Sequence, residues 1–142
     1  MSIILEQEYT LLENDVETPI SMYLRHVGTE QGILLESAEV DGRWGRYSVI
    51  AGNFLLRIGC SEGLLEVACR DPRLEPLKKF AGVPFVEGLR KLMEELEIVS
   101  RAPEDLPSIT RGLYGYFGYG MAGVFEPKLS VALPPKDADG CL

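Results

Sequence analysis

The sequence predicts an α+β fold in which an antiparallel β-sheet meander packs against helices. Short β-prone segments alternate with turn residues between Ile33 and Arg70, which is typical of consecutive antiparallel strands. The segment that begins at Val83 repeats its apolar residues at helical spacing. With 46% apolar and 25% charged residues, the 142-residue chain has the composition and length of one globular domain. A chain of this size buries roughly two thirds of its unfolded surface, so its core needs no disulfide.

The first segments of the chain predict one strand and one helix. SIILEQEYTLL is β-prone with polar interruptions, which predicts an edge strand. In ETPISMYLRHVG, Thr18 is placed to cap a helix, Pro19 suits its first turn and Gly28 suits its left-handed end. The apolar residues that fall on one face of this helix are Ile20, Tyr23, Leu24 and Val27.

Four segments predict the meander: GILLESAE, RYSVIAG, FLLRIGC and LLEVACR. Gly52 and Asn53 offer a two-residue turn between the second and third segments, because glycine reaches the positive φ that such turns require. SEG supplies the next turn, and DPRLEP is predicted to be a proline-punctuated loop.

VPFVEGLRKLMEELEIVS predicts an amphipathic helix that packs its apolar stripe on the inner face of the meander. On its outer side, Lys91 is spaced to pair with Glu87 and with Glu95. RAPEDLPS ends the helix, ITRGLYGYFGYGMAGVFE is the last structured segment, and a proline-rich tail follows. The residues of the apolar stripe are Phe85, Leu89, Leu92, Met93 and Leu96.

Charge and cysteine content exclude several classes of function. A net charge of −8 with no basic run predicts that the chain has no nucleic-acid partner. The amino terminus has no signal-peptide pattern, and no apolar run is long enough for a membrane span. Three cysteines without CxxC spacing and a single histidine, His26, do not make a metal site. Reduced thiols predict a cytoplasmic protein.

The glycine–tyrosine run near the carboxyl end matches GxGxxG at Gly118, Gly120 and Gly123. A dinucleotide site is rejected, because too little chain follows to complete the βαβ unit and to supply its acidic residue. The glycines instead indicate a surface that another backbone approaches closely, with a partner outside the chain. No catalytic constellation is predicted, since His26 lies at a helix end and Glu94 and Glu95 on a solvated face.

Polar residues interrupt the first two strands of the meander. Glu36 and Ser37 follow Leu34 and Leu35, and Arg46, Tyr47 and Ser48 precede the next apolar run. A carboxylate at Glu36 would be half-buried, which is costly unless a positive group meets it. Arg46 could be that group, or a ligand ammonium could fill the role beside the hydroxyls of Ser37 and Ser48 and the Tyr47 ring. Both alternatives stay open on chemistry alone.

LLES, GRYSVIAG, TPISMYLRHV and GLYGYFGYGMAGVFE, in this order over nearly the whole chain, resemble the amino-terminal region of anthranilate synthase component I. The resemblance implies half of the layered α/β sandwich of the chorismate-utilising enzymes. Members convert chorismate and an ammonia donor to anthranilate and pyruvate, the first step of tryptophan biosynthesis. They use Mg²⁺ and work beside a glutamine amidotransferase subunit.

The resemblance places the catalytic residues and metal ligands in a carboxy-terminal chorismate-binding region that this chain lacks. Residues 1–127 then form the regulatory domain and 128–142 begin the linker, so the chain is a lyase fragment with no catalytic residue, metal ligand or cofactor of its own. It is expected to be inactive alone. Without the catalytic region, the glycine run is exposed and invites self-association.

The resemblance also implies feedback control by L-tryptophan. The LLES segment lines the effector pocket of the family, which makes Leu35, Glu36 and Ser37 effector contacts and Tyr47 a second-strand contact. Because the other half of the pocket lies in the absent region, we expect weak binding by this chain. The sister enzyme that makes 4-amino-4-deoxychorismate for folate is an alternative, as is a stand-alone amino-acid-binding module. A reading frame that continues past Leu142 would favour the enzymes.

Overall fold

The computed structural model describes residues 2–13, 16–36, 47–100, 108–129 and 140–141. It confirms an α+β fold with short, mainly antiparallel sheets and helices. The strands are β1 (Ile3–Gln7), β2 (Gly32–Glu36), β3 (Ser48–Gly52), β4 (Leu56–Ser61), β5 (Leu64–Cys69), β6 (Leu96–Ser100), β7 (Tyr116–Phe117) and β8 (Gly140–Cys141). The helices are α1 (Pro19–His26), α2 (Phe85–Glu95) and α3 (Met121–Phe125), with 3₁₀ helices at Pro72–Phe80, Ser108–Thr110 and Pro127–Leu129.

The chain divides into two compact units. The hairpin unit is the segment Leu11–Phe54, which contains α1, β2 and β3. The core unit combines Met1–Thr10 with Leu55–Leu142 and holds the other described elements. The predicted boundary between residues 127 and 128 stays a prediction.

Helix α1 begins and ends where its sequence predicts. The Ser21 backbone N–H donates to Thr18 Oγ1 (3.1 Å), and the Thr18 N–H donates to Ser21 Oγ (2.9 Å), so the two residues form a capping box. Pro19 occupies the first turn, and Gly28 follows the helix with a φ of 60°. Local interactions alone therefore specify both ends of α1.

A pair of glycines lets α1 pack closely on the β2–β3 hairpin. Gly32 and Gly52 lie directly opposite each other in the antiparallel register, and buried Val27 lies against both. A Cβ added to Gly32 would lie 3.2 Å from Tyr23 Cε2, and one added to Gly52 would lie 3.1 Å from Val27 Cγ2. The apolar face of α1 is only partly covered, because Ile20 and Leu24 are 55% and 64% exposed.

The four strands of the predicted meander are present, but they pair as two separate hairpins. β2 pairs with β3, and β4 pairs with β5 across the Glu62-Gly63 turn, whose two residues both have positive φ as a two-residue hairpin turn requires. Gly52 and Asn53 do not join a hairpin, because the second edge of β4 pairs with β8 rather than with β3. The tail thus contributes a strand to the sheet ordered β5-β4-β8-β7.

One apolar core organises the core unit. Alternate residues of β4 and β5 point to the same side of their sheet and pack against α2, the long 3₁₀ helix and α3. The Phe85 N–H donates to the Gly63 carbonyl (2.9 Å), which fixes the start of α2 at the β4–β5 turn. Gly88 allows close approach, since a Cβ there would lie 2.8 Å from Leu65 Cδ2. The buried members are Ile58, Cys60, Leu65, Leu74, Leu77, Phe85, Leu92 and Met121.

Two sequence predictions around α2 are wrong. The helix ends at Glu95, and the segment Leu96–Ser100, predicted as helix, is strand β6, which pairs in parallel with β1. The predicted DPRLEP loop is the first part of the 3₁₀ helix Pro72–Phe80, which Asp71 caps and which buries Leu74 and Leu77 in the core. In both places contacts with distant parts of the chain decided the backbone conformation.

One of the two predicted charge pairs of α2 is present in the structure. Lys91 Nζ lies 2.7 Å from Glu87 Oε1, as the i,i+4 spacing predicts. Glu95 pairs instead with Lys79 of the 3₁₀ helix, at 2.6 Å. Both pairs lie at the surface, where solvent screens the attraction between the charges.

Candidate functional site

The β2–β3 hairpin carries three of the four predicted effector residues within the described part of the chain. Glu36 is the last residue of β2 and lies opposite Ser48, the first residue of β3. Leu35 lies opposite Val49, and Tyr47 directly precedes β3. Ser37 and Arg46 lie outside the described residues, so the predicted Glu36–Arg46 pair stays a prediction.

The register of the hairpin separates these residues by face. Successive side chains of a strand point to opposite faces, and directly paired residues share a face. Glu36 and Ser48 therefore lie on the face of Gly32 and Gly52, which is the face that α1 covers. Leu35 and Val49 lie on the reverse face. Tyr47 precedes β3, so the register of the two strands assigns it to neither face.

The prediction that Glu36 is half-buried is wrong in this chain. Glu36 is exposed at the end of its strand, as are Leu35 (43%) and Tyr47 (55%). Because the carboxylate of Glu36 stays in contact with solvent, it needs no positively charged partner to offset a desolvation cost. The argument that this segment binds an amino acid therefore depends on the sequence resemblance and on the arrangement of the two strands. It does not depend on desolvation of the Glu36 carboxylate.

Ser48 stands opposite Glu36. The sequence names its hydroxyl as a possible neighbour of a ligand ammonium, although the resemblance does not include it among the effector contacts. The segment between the two strands is long, so strand propensity alone does not give their register. The signal that locates Ser48 is the pair of glycines. Once Gly32 and Gly52 are paired beneath Val27, counting along both strands brings Glu36 opposite Ser48.

The groups with marked pKa shifts belong to the core unit. The Arg73 side chain and backbone N–H hydrogen-bond the Asp71 carboxylate and lower its pKa to about 2. Burial raises the pKa of the Cys69 thiol, which donates to the Leu74 carbonyl at 3.2 Å. Both groups have structural roles, because Asp71 caps the 3₁₀ helix Pro72–Phe80 and Cys69 packs against the apolar core.

The glycine–tyrosine run presents an aromatic surface. The Phe117 and Phe125 rings meet edge to face at 5.2 Å, and each also meets buried Phe85. Their outer sides are exposed, together with Tyr116 and Tyr119. A Cβ added to Gly112, the first glycine of the run, would meet no atom of this chain within 4 Å, so the approach of a partner outside the chain stays a prediction.

Within the described ranges, no three His, Cys, Asp or Glu side chains cluster in a way that would hold a metal ion. None of the helices in this part of the chain has the length and apolar character needed to cross a membrane.

Comparison with curated proteins finds relatives that share one name, anthranilate synthase component 1. The chain is 32% identical to that of Acinetobacter calcoaceticus over 127 residues, which cover 89% of this chain and 25% of the relative. It is 34% identical to that of Aquifex aeolicus over 124 residues, covering 84% and 23%. It is 30% identical to that of Arthrobacter globiformis over 128 residues, which cover 87% of this chain and 22% of the relative.

The chain thus spans about a quarter of the length of the curated relatives it matches. No protein-family model matches it, and no solved structure matches it significantly. The matches cover most of this chain and fall in the amino-terminal region of each relative. In sequence, this chain is therefore a relative of anthranilate synthase component 1 and corresponds to the amino-terminal region of that protein.

Proposed function

We propose that the chain is the amino-terminal regulatory part of an anthranilate synthase component 1 and contributes one wall of an L-tryptophan feedback site. The whole enzyme would act in the cytoplasm and convert chorismate and ammonia to anthranilate and pyruvate, with Mg²⁺. A glutamine amidotransferase subunit would supply the ammonia. The observation that carries this proposal is the identity of about 30% over most of the chain to relatives of that name.

The hairpin unit supports the proposal because several of its apolar side chains are exposed to solvent. Val27 is the buried apolar residue in its described part, whereas Leu11, Leu12, Ile20 and Leu24 are exposed. The described part of the unit thus buries little apolar surface and gains little stability from a core of its own. Its surface is therefore suited to being covered by further protein, as a regulatory part beside a catalytic region requires.

The residues at the end of the hairpin support a role in ligand binding rather than in catalysis. A carboxylate and a hydroxyl stand opposite each other at the end of the hairpin, beside partly buried apolar residues. Such a pair accepts hydrogen bonds from an ammonium group, which every free amino acid carries. An effector acts only through its different affinity for two states, so a ligand held between this wall and the catalytic region would favour one arrangement of the two.

A hybrid enzyme tests the catalytic part of the proposal. This chain would replace the matching segment of the Acinetobacter calcoaceticus relative, with the unaltered relative as the control. We expect the hybrid to form anthranilate from chorismate, ammonia and Mg²⁺, and to be inhibited by L-tryptophan. The free chain should form no anthranilate. A soluble hybrid without activity would contradict the proposal.

A tryptophan titration tests the regulatory part. Isothermal calorimetry should show weak, millimolar binding of L-tryptophan to the free chain, and Glu36→Gln should weaken it about tenfold, because a hydrogen bond to a charged group is lost. Glu94→Gln, on the exposed face of α2, is the matched control and should bind like the unaltered chain. Micromolar affinity that survives both Glu36→Gln and Ser37→Ala would refute the assigned site.

A further inference from the structure

We propose that the hairpin unit opens as one cooperative piece while the core unit stays folded. The hairpin unit is an insertion in the core unit, because the chain leaves that unit after Thr10 and returns to it at Leu55. In the partly folded state, α1, β2 and β3 lose their structure together. This inference goes beyond the proposed function and does not depend on it.

Both ends of the insertion are held by bonds within the core unit. Before it, β1 pairs along its whole length with β6, and Gln7 Nε2 donates to the Thr110 carbonyl (3.0 Å). After it, the Leu55 carbonyl accepts from the backbone N–H groups of Arg70 (2.9 Å) and Asp71 (3.3 Å). None of these bonds involves a residue of the hairpin unit. Opening of the hairpin unit therefore leaves both anchors in place.

The apolar cluster of the core unit forms without the insertion. Within the described ranges, its eight buried residues lie from Ile58 to Met121, outside the hairpin unit. The partly buried residues that pack against this cluster also belong to the core unit, including Ile3 and Leu5 of β1. An opening that removes no member of the cluster breaks few buried apolar contacts, so it requires much less free energy than global unfolding.

The elements of the hairpin unit depend on one another through Val27, the buried apolar residue in its described part. Val27 directly follows α1 and lies against Gly32 of β2 and Gly52 of β3. A helix of eight residues is marginal in water by itself, and so is an isolated two-stranded hairpin. Because neither part is stable without the other, loss of this packing opens all three elements at once.

Such an opening acts as a conformational switch. A ligand or a partner that binds only the closed hairpin unit raises the closed population by linkage, by a factor that grows with its concentration. Because the core unit stays folded in both states, the switch changes the surface of the hairpin unit without unfolding the rest of the chain.

The substitution Gly32→Val tests the proposal on the full chain. A Cβ at Gly32 would overlap Val27 Cγ1 and lie 3.2 Å from Tyr23 Cε2, so the larger side chain disrupts the packing of α1 on the hairpin. We expect the amides of α1, β2 and β3 to exchange at least about tenfold faster, measured by ¹⁵N NMR, and those of β4, β5 and α2 to stay within about twofold. Faster exchange in both units would show that the chain opens as a whole and would overturn the proposal.

Leu24→Ala is the matched control for this experiment. Leu24 lies on α1 in the same unit, but its side chain is 64% exposed. We expect its replacement to leave the exchange of both units within about twofold, because substitutions of exposed side chains change stability little. An effect as large as that of Gly32→Val would show that the Val27 packing does not hold the unit together, which contradicts the proposal.

A second readout needs no substitution. Exchange of the unaltered chain is measured over a series of low urea concentrations. We expect the amides of α1, β2 and β3 to follow one common opening, with a smaller urea dependence than that of β4 and β5, because less surface becomes exposed. Separate curves for α1 and for the two strands would show independent openings, and a curve shared with β4 and β5 would show one global opening. Either result overturns the proposal.

Discussion

At the residue scale, Asp71 shows how one side chain starts a helix that the sequence did not predict. Its Oδ1 accepts from the Arg73 backbone N–H (2.9 Å) and from Arg73 Nε (3.0 Å). The carboxylate thereby caps the 3₁₀ helix Pro72–Phe80 and pairs with a guanidinium two residues on. Aspartate before proline is readable as a cap, but two prolines within six residues also suggest a loop, and burial of Leu74 and Leu77 decides between them.

The Asp71 contacts predict a dependence of stability on acid. Because its pKa falls from 3.8 to about 2 on folding, the ionised form favours the folded state. That contribution is complete above about pH 4 and is lost as the pH falls through about 2. We expect the free energy of unfolding of Asp71→Asn, measured by urea denaturation, to fall less between pH 5 and pH 2 than that of the unaltered chain. Parallel curves would contradict the pairing.

At the element scale, α2 illustrates what periodicity resolves and what it does not. The spacing of its apolar residues correctly predicts a helix with one buried stripe. The spacing places five residues on that stripe, but Met93 lies about 100° around the helix from Leu92, at the edge of the buried face. Gly88, which no apolar pattern includes, is buried against Leu65.

Leu92 and Met93 should therefore differ in their contribution to stability. Leu92 is 0% exposed and Met93 is 40% exposed. We expect Leu92→Ala to lower the free energy of unfolding by about 2–5 kcal/mol, because it leaves a cavity in the core. Met93→Ala, the matched control on the same helix, should cost about 1 kcal/mol or less. Equal losses in urea denaturation would show that α2 is rotated about its axis.

At the scale of the whole molecule, the two units differ in how much apolar surface each one buries by itself. The described part of the core unit contains a cluster of eight buried residues, whereas the described part of the hairpin unit contains Val27. Local stability follows the number of buried apolar contacts that an opening must break. The hairpin is therefore the less protected part.

Hydrogen exchange should separate the units. We expect the hydrogen-bonded amides of β2 and β3 to exchange at least about tenfold faster than those of β4 and β5, since opening the hairpin unit exposes less apolar surface. Exchange is measured by NMR on the intact chain, and the paired strands β4 and β5 serve as the internal reference. Equal protection would show that the hairpin unit is stabilised as strongly as the core.

The sequence by itself determined the local features: the capping box of α1, its glycine end, the Glu62-Gly63 turn and the presence of strands β1 to β5. These depend on residues at most four apart, whose preferences act wherever the segment lies. Tertiary structure decided which strands pair and which face each side chain occupies. Leu96–Ser100 forms a strand because it pairs with β1, and β8 pairs with the second edge of β4. The register in which Gly32 lies opposite Gly52 brings Glu36 opposite Ser48. Each of these depends on contacts between segments distant in sequence, whose burial outweighs local propensity.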